Sequence, residues 1–167
     1  PPAGKAILSE PSQFESAFRQ HLICNQILVQ SVLNSMKEQS YGRIINIIST
    51  SVKQPLDNLG VSNTIRGAVA NWSKTLANEL GQFNITVNNV LPGATLTSRL
   101  EAIIEKESNL QNKSISEITS QMLNTIPMKR FAFPLEIANV VAFLASPLAS
   151  YINGINLPVD GGRTKSL

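Results

Sequence analysis

His21 is the only histidine in these 167 residues, and its ordinary pKa near 6.5 suits proton transfer around neutral pH. It sits in an apolar, helix-spaced stretch, where the plainer role is a partly buried imidazole making one backbone hydrogen bond. Ser49 closes the run Ile44-Ile45-Asn46-Ile47-Ile48. Its hydroxyl therefore stands at the C-terminal end of a predicted strand, where ligands of open α/β sheets gather; the alternative is a hydroxyl that caps a loop. Ser62 and Arg66 are four residues apart, so on a helix they share a face. Arginine can donate to a ligand but stays protonated, and a serine hydroxyl needs an activating partner before it can act as a base. Ser62 also suits a helix N-cap. Pro92-Gly93 ends an apolar run with Thr97 close behind, a turn that serves either a ligand or loop punctuation. Lys53 could reach Ser49 from its loop, although a solvated lysine is the plainer role. Cys24 and His21 together are too few for a metal site.

The periodicity of the chain supplies the frame for these residues. Residues 12–39 carry Phe14, Phe18, Leu22, Ile23, Ile27, Val29, Leu33 and Met36 near helical spacing, with Ser12 as N-cap and Glu15 three residues on. Residues 44–48 form a β-branched run that predicts a strand buried on both faces, as in a parallel sheet. Residues 63–80 predict a second long helix with Trp72 and Leu76 on its stripe and Gly81 as the stop. Residues 85–91 predict a strand. Residues 97–128 read as two polar helices with a break, the stretch being punctuated by Asn109, Asn112 and Ser114. Residues 134–144 predict a short helix opened by proline, and 152–159 a last strand ending at Asp160-Gly161-Gly162. Tyr41 and Tyr151 precede strands and so belong at the sheet edge opposite Ser49. Alternating helix and strand predict an α/β doubly wound parallel sheet with right-handed crossovers. Such sheets usually have about six strands, so one incomplete domain over 1–167 is expected.

Composition narrows the function classes. With 43% hydrophobic and 15% charged residues, the chain is long enough for one domain with a real core. Its net charge is +3, but Lys and Arg are scattered singly, which argues against nucleic acid. The one cysteine, Cys24, forbids an internal disulfide and reads as a buried structural thiol. No apolar run reaches membrane-spanning length, and the opening residues do not resemble a signal peptide. A cytoplasmic protein is expected.

Four stretches carry a family resemblance. Residues Gly42-Arg43-Ile44-Ile45-Asn46-Ile47-Ile48-Ser49 resemble the strand that ends in the active-site serine of short-chain dehydrogenase/reductases. The stretch from Gly67-Ala68-Val69 to Ser73-Lys74-Thr75-Leu76-Ala77-Asn78-Glu79-Leu80 resembles the helix that follows their lysine. Ile85-Thr86-Val87-Asn88-Asn89-Val90-Leu91-Pro92-Gly93 is similar to their strand and Pro-Gly turn at the nicotinamide. Glu136 to Ser146 and Tyr151 to Gly162 resemble the closing segment. The nearest likeness is to bacterial 3-oxoacyl-carrier-protein reductases.

The resemblance implies hydride transfer between NAD or NADP and a small-molecule carbonyl or alcohol, such as a 3-oxoacyl thioester. Ser49 takes the serine position, which orients the substrate oxygen. Ser62 falls where the family has its proton-donating tyrosine, Arg66 where it has the lysine that holds the nicotinamide ribose, and His21 where it has an asparagine. Pro92, Gly93 and Thr97 match the turn that meets the nicotinamide carboxamide and phosphate, and Arg66 joins them as a cofactor contact. The hallmark Tyr-x-x-x-Lys is absent. Proton transfer then falls to His21 or to a water relay, or else the protein is a non-catalytic member, a nucleotide-binding or oligomeric scaffold. No Gly-x-x-x-Gly-x-Gly occurs, so the resemblance implies that the family's pyrophosphate turn lies outside these residues. It also implies a homodimer or homotetramer built on the two long helices and the last strand. Residues 98–128 would cover the substrate, with Leu100, Ile103, Ile104, Met122, Leu123 and Ile126 lining either helix core or an acyl pocket.

Overall fold

The computed structural model describes residues 1–166. Strands β1 (Gly42–Ile47), β2 (Ile85–Pro92) and β3 (Asn156–Val159) form a parallel sheet in the order β1-β2-β3. Helices α1 (Pro11–Phe18), α2 (Cys24–Glu38) and α3 (Gly60–Leu80) precede β2, while α4 (Ser98–Gln111), α5 (Ile115–Asn124) and α6 (Pro134–Ala145) follow it. One sheet face packs Val87 and Ile85 against Leu76, Leu80 and Val29 of α3 and α2. The other packs Val90 and Ile45 against Leu144, Val140 and Ile137 of α6. The result is the expected α/β layering. A separate buried cluster of Leu100, Ile104, Ile118, Ile126 and Phe131, with Met122 and Leu123 packed against it, ties α4 to α5 and the loop that follows, while Ile103 is exposed. Among the described residues no helix is long and apolar enough to cross a membrane.

The first helical stretch departs from a single helix. It starts at Pro11, and Glu10 rather than Ser12 is its N-cap, the Gln13 side chain accepting from the Glu10 N–H at 3.0 Å. Between α1 and α2 the backbone makes a π-turn over Arg19–Ile23. A π-turn inserts one residue and so rotates everything beyond it off the simple helical spacing. Ile27, beyond the turn, is exposed, as is Phe18 ahead of it. Cys24 is exposed as well, not a buried thiol.

The second long helix begins at Gly60, earlier than 63, because the chain's opening residues brace it. Gly60 N–H donates to the Gly4 carbonyl at 2.9 Å and Gly4 N–H to that of Asn58 at 2.7 Å. A Cβ on Gly60 would lie 2.6 Å from that of Ala6. The Asn63 side chain grips the Leu56 backbone, donating to its carbonyl at 2.8 Å and accepting from its N–H at 3.4 Å. Ser62 thus lies inside the first turn and is not the N-cap, which falls to Leu59.

The run 44–48 is not buried on both faces. Strand β1 is the sheet edge, only partly covered, with Ile47 49% exposed. The strand buried along nearly its whole length is β2, which has a neighbour on each side. Strand β3 is shorter than 152–159. Ahead of it, Asn153 holds the chain by its side chain, accepting from Val87 N–H and donating to the Ala77 carbonyl, each at 2.9 Å.

Asparagines cross-link the sheet. Asn46 and Asn89 are in register, as are Asn89 and Asn156. Asn46 Nδ2 donates to Asn89 Oδ1 at 3.1 Å and to Ser73 Oγ at 2.9 Å, and Asn89 Nδ2 donates to Asn156 Oδ1 at 2.8 Å. Buried amides need such partners, and here they fasten all three strands and α3 together.

Candidate active site

The C-terminal ends of the strands gather the residues of interest. Ile48 extends β1 by donating to the Val90 carbonyl at 2.9 Å, and Ser49 follows. Its Oγ accepts from Ser51 N–H at 3.1 Å and caps a short 3-10 turn, Thr50–Val52. The loop-capping role is therefore real, and the hydroxyl proton is still free to reach outward. Ser51 itself is buried, and its hydroxyl has no partner among the described residues.

His21 reaches this end through the π-turn. Its neighbour Leu22 packs against Ile48 and Val69, which sets the turn over the strand that carries Ser49. Burial, then the charge of Arg66, hold the His21 pKa below its ordinary value. The imidazole is accordingly neutral at pH 7, with one donor and one acceptor nitrogen. Ser62 and Arg66 share a face of α3, and Arg66 is half-buried. Its pKa is lowered by burial and then by Arg99. Arg99, two residues past Thr97, was not singled out from the sequence. The only signal for it was a cation in the first turn of a predicted helix.

The turn after β2 is set by packing. Gly93 N–H donates to the Val159 carbonyl at 2.9 Å, and a Cβ on Gly93 would stand 2.7 Å from both Cα and Cβ of Asp160. Glycine is required there by that approach. Thr97 is the N-cap of α4, its Oγ1 accepting from Leu100 N–H at 3.4 Å and donating to the Thr95 carbonyl at 3.3 Å. Asp160 turns the chain after β3 by accepting from Gly162 and Thr164 N–H at 3.0 and 2.8 Å.

Other expected positions lie away from the site. Tyr41 precedes β1 and donates to the Ala145 carbonyl at 3.0 Å, with the Arg43 guanidinium 4.3 Å over its ring. Six residues of strand place it roughly 20 Å from Ser49. Tyr151 is fully exposed. Trp72 donates from its indole to Gln26 Oε1 at 2.8 Å and Leu76 is buried, so both serve the protomer's own core. Open clefts of about 720 Å³ along α1 and the π-turn, and about 480 Å³ beside α2 and β1, include neither Ser49 nor Arg66. Among the described residues no group of three or more His, Cys, Asp or Glu could hold a metal ion.

Known proteins resemble this chain in sequence and in fold. A family model described as Enoyl-(Acyl carrier protein) reductase matches residues 2–164. The NADPH-dependent reductase BacG of Bacillus subtilis is 34% identical over 152 residues, which are 91% of this chain and 59% of that protein. The 3-oxoacyl-[acyl-carrier-protein] reductase FabG of Staphylococcus epidermidis is 38% identical over 136 residues, 80% of this chain and 50% of its own. The chain thus spans little more than half the length of these relatives. Among solved structures, YwfH, an NADPH-dependent reductase involved in bacilysin biosynthesis, superposes with TM-score 0.93 at 31% identity over 99% of this chain and 64% of that one. A 3-ketoacyl-(acyl-carrier-protein) reductase from Brucella melitensis complexed with NADH superposes at 0.81 with 30% identity over 97% of this chain and 62% of its own. A family match over nearly the whole chain and relatives above 30% identity show that the chain belongs to the short-chain dehydrogenase/reductase family.

Proposed function

We propose that the protein is an NAD(P)-dependent oxidoreductase that moves hydride to or from a small carbonyl or alcohol, such as a 3-oxoacyl thioester, with an altered proton path. What supports this reading is a hydroxyl at a strand end, Ser49, together with an imidazole, His21, that feels the charge of the half-buried Arg66 guanidinium. Arg66 fits the ribose end of a nicotinamide dinucleotide, since its donors have no hydrogen-bond acceptor among the described residues. The backbone at Pro92-Gly93 and Thr97 would flank the nicotinamide, and that cofactor supplies the hydride.

The side chains of this chain would manage the oxygen and its proton. Ser49 Oγ–H orients the substrate oxygen while its lone pair keeps the bond to Ser51 N–H. His21, neutral at pH 7, relays a proton through one ring nitrogen and replenishes it through the other. Arg66 holds charge and orientation and does not titrate. Ser62 lies inside the first turn of α3 and contributes no acid of useful strength.

The scaffold reading has one observation in its favour, the engagement of Ser49 Oγ as a cap where no tyrosine stands by. A pH–rate profile on a panel of 3-oxoacyl thioesters separates the two. His21→Ala should lower kcat by about tenfold or more, the low end of what a general acid or base contributes. Wild-type kcat should fall in acid, at a pH below the ordinary imidazole range, because a histidine whose pKa is lowered by burial and by Arg66 takes up its proton only there. Ser62→Ala should change neither rate nor stability much, because alanine is a good helix former. Equal rates and profiles would remove His21 from the mechanism. No turnover by any form, including the double variant Ser62→Tyr with Arg66→Lys, would favour the scaffold.

For assembly, we propose a homo-oligomer. Ile27 and Leu28 of α2, each 59% exposed, and Val32 beside them supply its apolar contact in place of Trp72 and Leu76. Light scattering at micromolar concentration checks it, and a monomer refutes it.

A further inference from the structure

Ser51 brings a second, buried hydroxyl to the turn that Ser49 caps. Its side chain is 4% exposed, and its Oγ has no hydrogen-bond partner among the described residues. Buried hydroxyls are nearly always paired, because an unpaired one gives up its bonds to water without replacement. The turn itself is fixed. Val52 packs against the cluster of Ile48, Val69, Ala70 and Leu91, and Ser51 N–H donates to Ser49 Oγ at 3.1 Å. The backbone nitrogen and hydroxyl oxygen of one serine are roughly 3–4 Å apart. The Ser51 hydroxyl is therefore no more than about 7 Å from that of Ser49.

One rotation about Cα–Cβ separates Ser51 Oγ from a partner. The same spacing occurs at the start of α5, where Ser114 is the cap and its Oγ lies 3.0 Å from Ser116 Oγ. A serine two residues past a capping serine thus reaches the cap's oxygen in the right rotamer. Ser49 can accept that bond, since a hydroxyl has one donor and two acceptor lone pairs. Ser51 N–H takes one lone pair, which leaves the other for a further donor.

We propose that Ser51 is a positioning residue that acts through Ser49. When Ser49 Oγ–H donates to the substrate oxygen, the Ser51 hydroxyl turns and donates to Ser49 Oγ, completing its three bonds. A hydroxyl that accepts a hydrogen bond is polarised, and the bond it donates is strengthened. A bond that the resting protein leaves unmade is thus made in the complex. It gains most as negative charge develops on the substrate oxygen. The proposal rests on the oxidoreductase reading and on the place that reading gives Ser49.

The test measures kcat, KM and thermal midpoint of the full-length protein with 3-oxoacyl thioesters, in wild type, Ser51→Ala, Ser51→Val and Ser51→Thr. Ser51→Ala should lower kcat about fivefold, the worth of one neutral hydrogen bond, with KM little changed. Threonine and valine share a shape, so their ratio isolates the hydroxyl, and Ser51→Thr should exceed Ser51→Val by the same factor. In Ser49→Ala, adding Ser51→Ala should cost nothing further, since the oxygen it serves is already gone. Losing an unpaired buried hydroxyl should leave the thermal midpoint unchanged or raise it by up to about 2 °C. A lowered midpoint in Ser51→Ala would show the hydroxyl already partnered at rest and overturn the proposal. So would a further loss in the double variant, or kcat equal in wild type and Ser51→Ala. A wild type that turns over no carbonyl compound refutes the oxidoreductase reading itself, and the proposal falls with it. An active wild type indifferent to Ser51 refutes the proposal alone.

Discussion

Replacing Asn89 by alanine should destabilise the protein by roughly 2–4 kcal/mol, because Asn89 is the centre of the asparagine ladder. It is 3% exposed, accepts from Asn46 at 3.1 Å and donates to Asn156 at 2.8 Å. Each of those bonds is worth about 1 kcal/mol net. The remainder arises because Asn156 Oδ1 loses its donor in a partly buried place, whereas Asn46 keeps Ser73 Oγ at 2.9 Å. An orphaned polar atom costs about 1–3 kcal/mol when it cannot reach water. For a chain of this size each kcal/mol moves the melting temperature by roughly 2–4 °C. Urea unfolding followed by the fluorescence of Trp72, the only tryptophan, measures the change directly. A double-mutant cycle of Asn89→Ala with Asn156→Ala isolates their bond and should give a coupling of about 1 kcal/mol. A single-variant loss under about 0.5 kcal/mol, or a coupling indistinguishable from zero, would refute the ladder as a structural fastener.

Three other expectations are open to direct measurement. Gly93→Ala brings a Cβ to 2.7 Å from the Asp160 backbone, so it should cost about 1–3 kcal/mol as overpacking does; an unchanged thermal midpoint would contradict the close approach. Arg130 grips Glu136 through two 2.7 Å bonds and Phe133 N–H adds a third, holding the Glu136 carboxyl at about 2. Its folded pKa lies below the unfolded value near 4.3, so its contribution is present above that value and is lost as pH falls toward 2. Wild type and Glu136→Gln should therefore differ in unfolding midpoint at pH 6 and converge near pH 2; a constant gap would exclude the pair as the cause. Finally, these 167 residues expressed alone should bind NADH and NADPH weakly, since they contain no glycine-rich phosphate turn, and micromolar affinity in calorimetry would prove that turn unnecessary.

Strand β2, the bulk of α3 and the break between α4 and α5 were legible in the sequence, because each depends on contacts within a few residues. Apolar spacing specifies which face of α3 is buried, Pro92-Gly93 stops β2, and Asn112 takes the left-handed turn that parts the two helices. The positions of Ser49 at a strand end and of Ser62 and Arg66 on one helix face follow from the same local rules. The π-turn was not legible, since one inserted residue leaves no compositional mark, and with it went the expected burial of Cys24 just beyond it. The early start of α3 depends on Gly4 and Ala6, far back in the chain. Tertiary structure alone decided that three asparagines fall in one register. It also decided that Arg66 feels the charge of Arg99. Periodicity records which side of an element is apolar, but which side chains meet across elements is determined by sheet register and helix docking, and charges distant in sequence become neighbours only when both are in place.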